Sequence, residues 1–111
     1  MIEWSRVETL REEVGDEAFD EVVELFLEEV EQVMTRLRTA PDPSRFEHDL
    51  HFLKGSAMNL GFRTFSALCE DGEKLASLGN AQSVDIAAIL HIYARSRAEF
   101  LAGSRRKDDA G

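Results

Sequence analysis

The chain has 111 residues, 43% hydrophobic and 32% charged, and a formal net charge of −9. That length supports one domain with a single core, and the acidic balance argues against nucleic acid and anionic membrane as partners, since both need a basic footprint. No apolar run reaches the length of a membrane span and Met1-Ile2-Glu3-Trp4-Ser5 lacks the regions of a signal peptide, so the chain reads as soluble and cytoplasmic.

Every segment reads as helix. Ser5-Arg6-Val7-Glu8 is a capping-box pattern, predicting a first helix that runs to about Val14 and stops at Gly15. Asp16 is placed to cap a long second helix. Its apolar residues (Phe19, Val22, Val23, Phe26, Leu27, Val30, Val33, Met34, Leu37) recur at helical spacing, with Glu21, Glu24, Glu28, Glu29 and Glu31 on the other side. Pro41-Asp42-Pro43 ends it, because each proline restricts the residue before it and donates no N–H. Ser44-Arg45-Phe46-Glu47 is a second capping box and opens a third helix, expected to end at Gly61. A fourth helix carries Phe65, Leu68, Cys69, Leu75 and Leu78 and closes at Gly79, with Gly72 inside it at a modest cost in propensity. Ser83 is the expected cap of a fifth, where Ile86, Ile89, Leu90, Tyr93, Phe100 and Leu101 form the buried stripe.

No segment alternates strictly with period two, so strands are not expected. Four long helices with short connections predict an all-α fold, an antiparallel four-helix bundle with the short N-terminal helix covering one end. The domain should span residues 1–103. Residues 104–111, with Arg105-Arg106-Lys107 followed at once by Asp108 and Asp109, read as a flexible solvated tail. No heptad seam demands a dimer, and a monomer is expected. The single cysteine, Cys69, excludes an internal disulfide and reads as a small buried hydrophobe.

The third helix carries the chemistry. At about 100° per residue, Phe46, Leu50, Leu53, Ala57 and Leu60 share one apolar stripe, and His51 lies roughly 150° from its middle, facing water. His48, Lys54, Gly55 and Met58 project near it. A nucleophilic nitrogen, a cation one turn away and a bare patch of backbone suit a group that carries phosphate. Gly55 costs about 1 kcal/mol against alanine in a helix interior. Close approach of another surface to His51 explains it better than tight packing of a neighbouring helix. Ser56 lies nearer the core and is expected to be structural, its hydroxyl bonding to the preceding turn or a neighbouring helix. Asn59 is open between orienting His51, touching a partner and being an ordinary exposed amide. Phe52 and Met58 flank the active face as candidate docking residues, and His48 reads as its rim. His48 and His51 make at most half of a zinc site, which needs three or four protein ligands. The remaining histidine, His91, is on another helix, so no metal is expected. Trp4 and the phenylalanines at helical spacing read as core.

The run His51-x-Leu53-Lys54-Gly55-Ser56-Ala57-x-x-Leu60-Gly61 closely resembles the signature of histidine-containing phosphotransfer domains, helical bundles that relay phosphoryl groups in multistep two-component signalling. The Glu-rich helix before it, the helix after Leu60-Gly61-Phe62 and the stretch Leu68-Cys69-Glu70 are similar to that family too. The likeness covers roughly Asp16 to Leu101, as pattern rather than identity outside the motif. It implies that His51 is the phosphoacceptor and that donor and acceptor are aspartates on response-regulator receiver domains, a hybrid histidine kinase being a further partner. It also implies that the receiver supplies the Mg²⁺, so this chain should need no cofactor of its own. Lys54 fits as the cation that neutralises charge on the transferring phosphoryl oxygens. No Gly-rich phosphate loop stands in for a kinase's ATP site. The leading expectation is a phosphorelay intermediate without its own kinase activity. The alternatives are a helical adaptor that docks a receiver or kinase without transferring phosphate, and a metal-binding bundle using His48 and His51.

Overall fold

The computed structural model describes the backbone of residues 1–110 and the side chains of residues 1–103. Its helices are α1 (Trp4–Val14), α2 (Asp16–Thr39), α3 (Phe46–Asn59), α4 (Arg63–Ser77) and α5 (Ile86–Ala110), with single 3-10 turns at Pro43–Arg45 and Ala81–Ser83. The fold is all-α, as the periodicity predicts. Among the described residues the β-type pairing seen is one isolated bridge, Ile2 with Phe62. No helix there is long and apolar enough to cross a membrane. The expected tail at 104–111 lies outside the residues whose side chains are described.

The helix ends depart from the sequence reading at four places, each because another group supplies the cap. The Ser5 box does not open α1: Glu3 is the N-cap and makes no side-chain cap bond. Its backbone is recruited elsewhere, the Glu3 N–H donating to the Gly61 carbonyl at 2.7 Å. Asp16 does not cap α2 either. Gly15, at φ 85°, both ends α1 and begins α2, and Asp16 sits in the first turn, where its charge suits the helix dipole and lies 3.6 Å from Arg11. The Ser44 box is pre-empted by Asp42, whose carboxylate accepts from the Ser44 N–H at 3.0 Å and its hydroxyl at 2.7 Å. Asp85, not Ser83, caps α5 by accepting from the Ala88 N–H at 2.9 Å. Leu78 also departs from its expected place in the core: α4 ends one residue before it, and it is 75% exposed.

The core is built from the predicted stripes. Phe46, Leu50, Leu53, Ala57 and Leu60 of the α3 stripe are buried, facing Phe19, Val30, Met34 and Leu37 from α2 and Phe65 and Cys69 from α4. Phe62 lies at the aromatic centre, edge-on to Phe100 at 5.5 Å and tilted against Tyr93 at 6.4 Å. The short α1 closes the end where the α3–α4 turn and the late part of α5 meet. There Trp4 stacks on Phe100 at 5.9 Å. Gly61 has φ 75°, and a Cβ on it would stand 2.6 Å from the Glu3 carbonyl oxygen. Both the backbone angle and the close approach therefore require glycine.

Two features fix α3 against its neighbours. Asp49, 3% exposed, pairs with Arg36 of α2, a buried charge that needs its partner. On the other side, α3 and α4 make the most extensive helix pairing among the described residues, and Gly72 packs against α3 without room for a side chain. A Cβ at Gly72 would lie 2.7 Å from Leu50 Cδ1 and 3.2 Å from Val84 Cγ1. This glycine is a contact requirement, beyond the small propensity cost read from the sequence.

Candidate functional site

Because α3 and α4 form a hairpin about the Gly61 turn, reflection of the chain through that turn brings His51 opposite the Gly72-Glu73 stretch. Gly72 faces the core, so Glu73, one residue on, stands at the seam between the helices. Its carboxylate is bound at both oxygens: Oε1 lies 2.8 Å from His51 Nδ1 and Oε2 lies 2.9 Å from Lys54 Nζ. The His51 side chain is 70% exposed, against 26% for Lys54 and 20% for Glu73. The imidazole thus projects into solvent from a carboxylate that is itself largely covered.

The electrostatics determine which ring nitrogen carries the proton. The Lys54 ammonium first, and then the bond to His51, hold the Glu73 carboxyl below its ordinary range against the opposing effect of burial. Glu73 in turn raises the Lys54 ammonium above its ordinary range, with a further contribution from Glu70. An ionised carboxylate only accepts hydrogen bonds, so Nδ1 of His51 is the donor in the 2.8 Å contact. In the neutral ring that leaves the lone pair on Nε2. A nucleophilic nitrogen faces water, with a cation one helical turn away.

Gly55, beside His51, is exposed, and a Cβ placed on it would meet nothing within 4 Å. Tight packing of a neighbouring helix therefore does not explain this glycine. Met58, a turn further along α3, is 59% exposed and lines a groove with Arg6, Asn59, Ala67 and Glu70. Phe52 departs from the exposed docking role expected of it, being half-buried and packed on the core. His48 is exposed and lines a different groove, with Arg36, Arg45, Asp49 and Phe52 between α2 and α3.

Asn59 is committed elsewhere: its Oδ1 accepts from the Arg6 guanidinium at 2.8 Å, tying α3 to α1, so it does not orient His51. Ser56 is buried at 7% exposure, in keeping with a structural role, though the expected bond of its hydroxyl is not seen among the described residues. Cys69 is fully buried, and burial, assisted by the nearby Glu73 charge, pushes its thiol up to about 12. Among the described residues no group of three or more His, Cys, Asp or Glu side chains is arranged to hold a metal ion. The residue of this cluster that sequence reasoning missed is Glu73. Its signal was present: a carboxylate at the edge of the α4 apolar stripe, opposite His51 once the hairpin register is drawn.

A family model for the Hpt domain matches residues 21–99, well over half of the chain. No curated protein and no solved structure matches it. The matched span runs from the first turns of α2 to the middle of α5, and so contains His51, Lys54, Gly55 and Glu73. The chain belongs to the Hpt domain family, whose phosphotransfer serves two-component signalling.

Proposed function

We propose that this protein is a phosphorelay intermediate: His51 accepts a phosphoryl group from a receiver-domain aspartate and passes it to another receiver domain. The observation that carries this reading is the pinned, exposed imidazole, with Nδ1 bound to Glu73 at 2.8 Å and the ring 70% exposed. Such a ring offers Nε2 to a partner's active site with no further rearrangement. Lys54 lies within a turn and can move its ammonium from Glu73 onto the non-bridging oxygens, where charge is carried in a loose phosphoryl-transfer transition state. Gly55 leaves space for the partner's surface to reach bonding distance. Met58 is part of the contact surface and His48 its rim.

In this reading the receiver brings Mg²⁺ and the aspartate, and the chain needs no metal or nucleotide of its own. It acts as a monomer in the cytoplasm, with receiver domains or a hybrid kinase as partners. The test is transfer of label from a phosphorylated receiver to the purified protein and to three variants. His51→Gln should take none while keeping its fold, because an exposed side chain contributes little to stability. His48→Ala and His91→Ala should label as the wild type does. Label on His51→Gln would show that the nucleophile lies elsewhere.

A further inference from the structure

A second groove lies on the flank of α2 away from His51, and we infer that it binds a small organic phosphate, a dianionic head on an apolar body. The groove runs between α2 and α5 and encloses about 440 Å³, inside the range of about 300–1,000 Å³ usual for small-ligand sites. His51, Lys54, Gly55 and Glu73 are not among its lining residues. Helix geometry explains the separation. Arg36 lines the groove shared with His48, and Arg38, two residues on, is turned by about 200° around α2 toward α5. The site is therefore separate from phosphotransfer at His51 and does not depend on it.

Its shape comes from thin packing. Among the described residues α2 and α5 meet far less extensively than α3 and α4 do, and Ala94 puts only a methyl group into the gap. Met34 of α2 and Tyr93 of α5, both buried, form the floor, and Leu90 stands beside them. An apolar body covering these side chains leaves water, which stabilises it there.

The rim carries the charge. Arg97 is anchored: its Nε lies 3.1 Å from Glu31 Oε1, and the Tyr93 hydroxyl donates to that same oxygen at 2.8 Å. Burial and the Glu31 charge keep the phenol protonated. Using Nε in this way fixes the guanidinium plane and leaves its terminal N–H groups for a ligand. Arg38 and His91 are exposed and line the same groove, with no ion pair or side-chain hydrogen bond seen among the described residues. Two guanidiniums and an imidazole thus face one carboxylate whose Oε1 is already engaged twice. This local excess of positive charge in a chain of net −9 attracts an anion. Donors that converge from two helices match the several oxygens of a phosphate better than they match a single carboxylate. The acidic surface elsewhere turns such a ligand away.

The test is an NMR titration of the full chain with phenyl phosphate as probe, followed at the backbone amides of Leu90, Ala94 and Arg97. Inorganic phosphate serves as the bare head and benzyl alcohol as an uncharged body. Phenyl phosphate should give saturable shifts with a Kd of about 1 mM or below, inorganic phosphate should bind about tenfold more weakly or worse, and benzyl alcohol should not saturate. Arg38→Gln, a change at an exposed side chain, should weaken phenyl phosphate about tenfold. Ala94→Leu should weaken it by as much or more by filling the gap. Both variants should accept label on His51 as the wild type does, and His51→Gln should bind the probe unchanged. No saturable shift at these amides up to about 10 mM probe, or equal affinities for inorganic and phenyl phosphate, overturns the proposal. So does wild-type affinity in both Arg38→Gln and Ala94→Leu, since the probe would then lie elsewhere. Loss of probe binding in His51→Gln would put the phosphate at the His51 face and overturn it equally. Probe binding here in a chain that takes no label on His51 supports the site and contradicts only the phosphotransfer reading.

Discussion

The ammonium of Lys54 rests on Glu73 Oε2 at 2.9 Å, and phosphorylation of His51 would offer it a second acceptor carrying up to about two negative charges. Charge neutralisation at a partly exposed site supports a moderate effect. Lys54→Ala should slow single-turnover transfer by roughly 10–100-fold and weaken receiver binding less than it slows the rate. Equal rates for the two proteins would remove Lys54 from the mechanism. At this scale His51, Lys54 and Gly55 were legible in the sequence, because helical periodicity alone decides which side of α3 they face. Glu73 was not, since its place depends on the register between two helices. Asn59 was ambiguous for the same reason: its partner, Arg6, belongs to a helix far away in sequence.

The two mid-helix glycines of the hairpin look alike in the sequence and should behave oppositely. At Gly55 an added Cβ meets nothing within 4 Å, whereas at Gly72 it would stand 2.7 Å from the buried Leu50. Gly55→Gln should therefore hold or raise the melting temperature, since glycine is the poorer helix former by up to about 1 kcal/mol. It should reduce transfer from a phosphorylated receiver more than reaction with a small phosphodonor, which needs less room. Early melting with both reactions impaired alike would mean that Gly55 is structural. Gly72→Ala should lose about 1–3 kcal/mol in denaturant titration, because overpacking outweighs the gain in propensity. A more stable Gly72→Ala would show that Leu50 and Val84 yield easily. Element type and order were legible from periodicity and the proline pair. The caps were less so, because a capping box states only what Ser5 and Ser44 can do. Asp42 outcompetes Ser44 by accepting from the N–H and hydroxyl of Ser44 itself, while the Gly61 carbonyl draws the chain in ahead of Ser5.

Across the whole molecule, alkaline pH should unfold the bundle through its buried acids. Burial raises the Cys69 thiol from 9.0 to about 12, and burial together with Glu31 raises the Tyr93 phenol. The unfolded chain therefore loses these protons first. The stability they contribute is fully present below about pH 9 and falls as pH rises toward 12, by at most about 1.4 kcal/mol per pH unit for each group. Cys69→Ala should flatten part of that loss, and the native thiol should resist alkylation at neutral pH. Rapid alkylation without unfolding would contradict the buried placement. The acidic surface, the single core and the covering α1 were all readable from composition and pattern. The aromatic packing of Phe62 with Tyr93 and Phe100 needed the assembled fold. Onward passage of a phosphoryl group from His51 is tested by following its discharge. Protein labelled on His51 is purified, mixed with unphosphorylated receiver domains and Mg²⁺ in the absence of ATP, and the label followed. Label should leave His51 and appear on a receiver aspartate much faster than it is lost to water. Label that stays on His51 with every receiver, including one that binds the protein, would contradict it and make the bundle a docking adaptor.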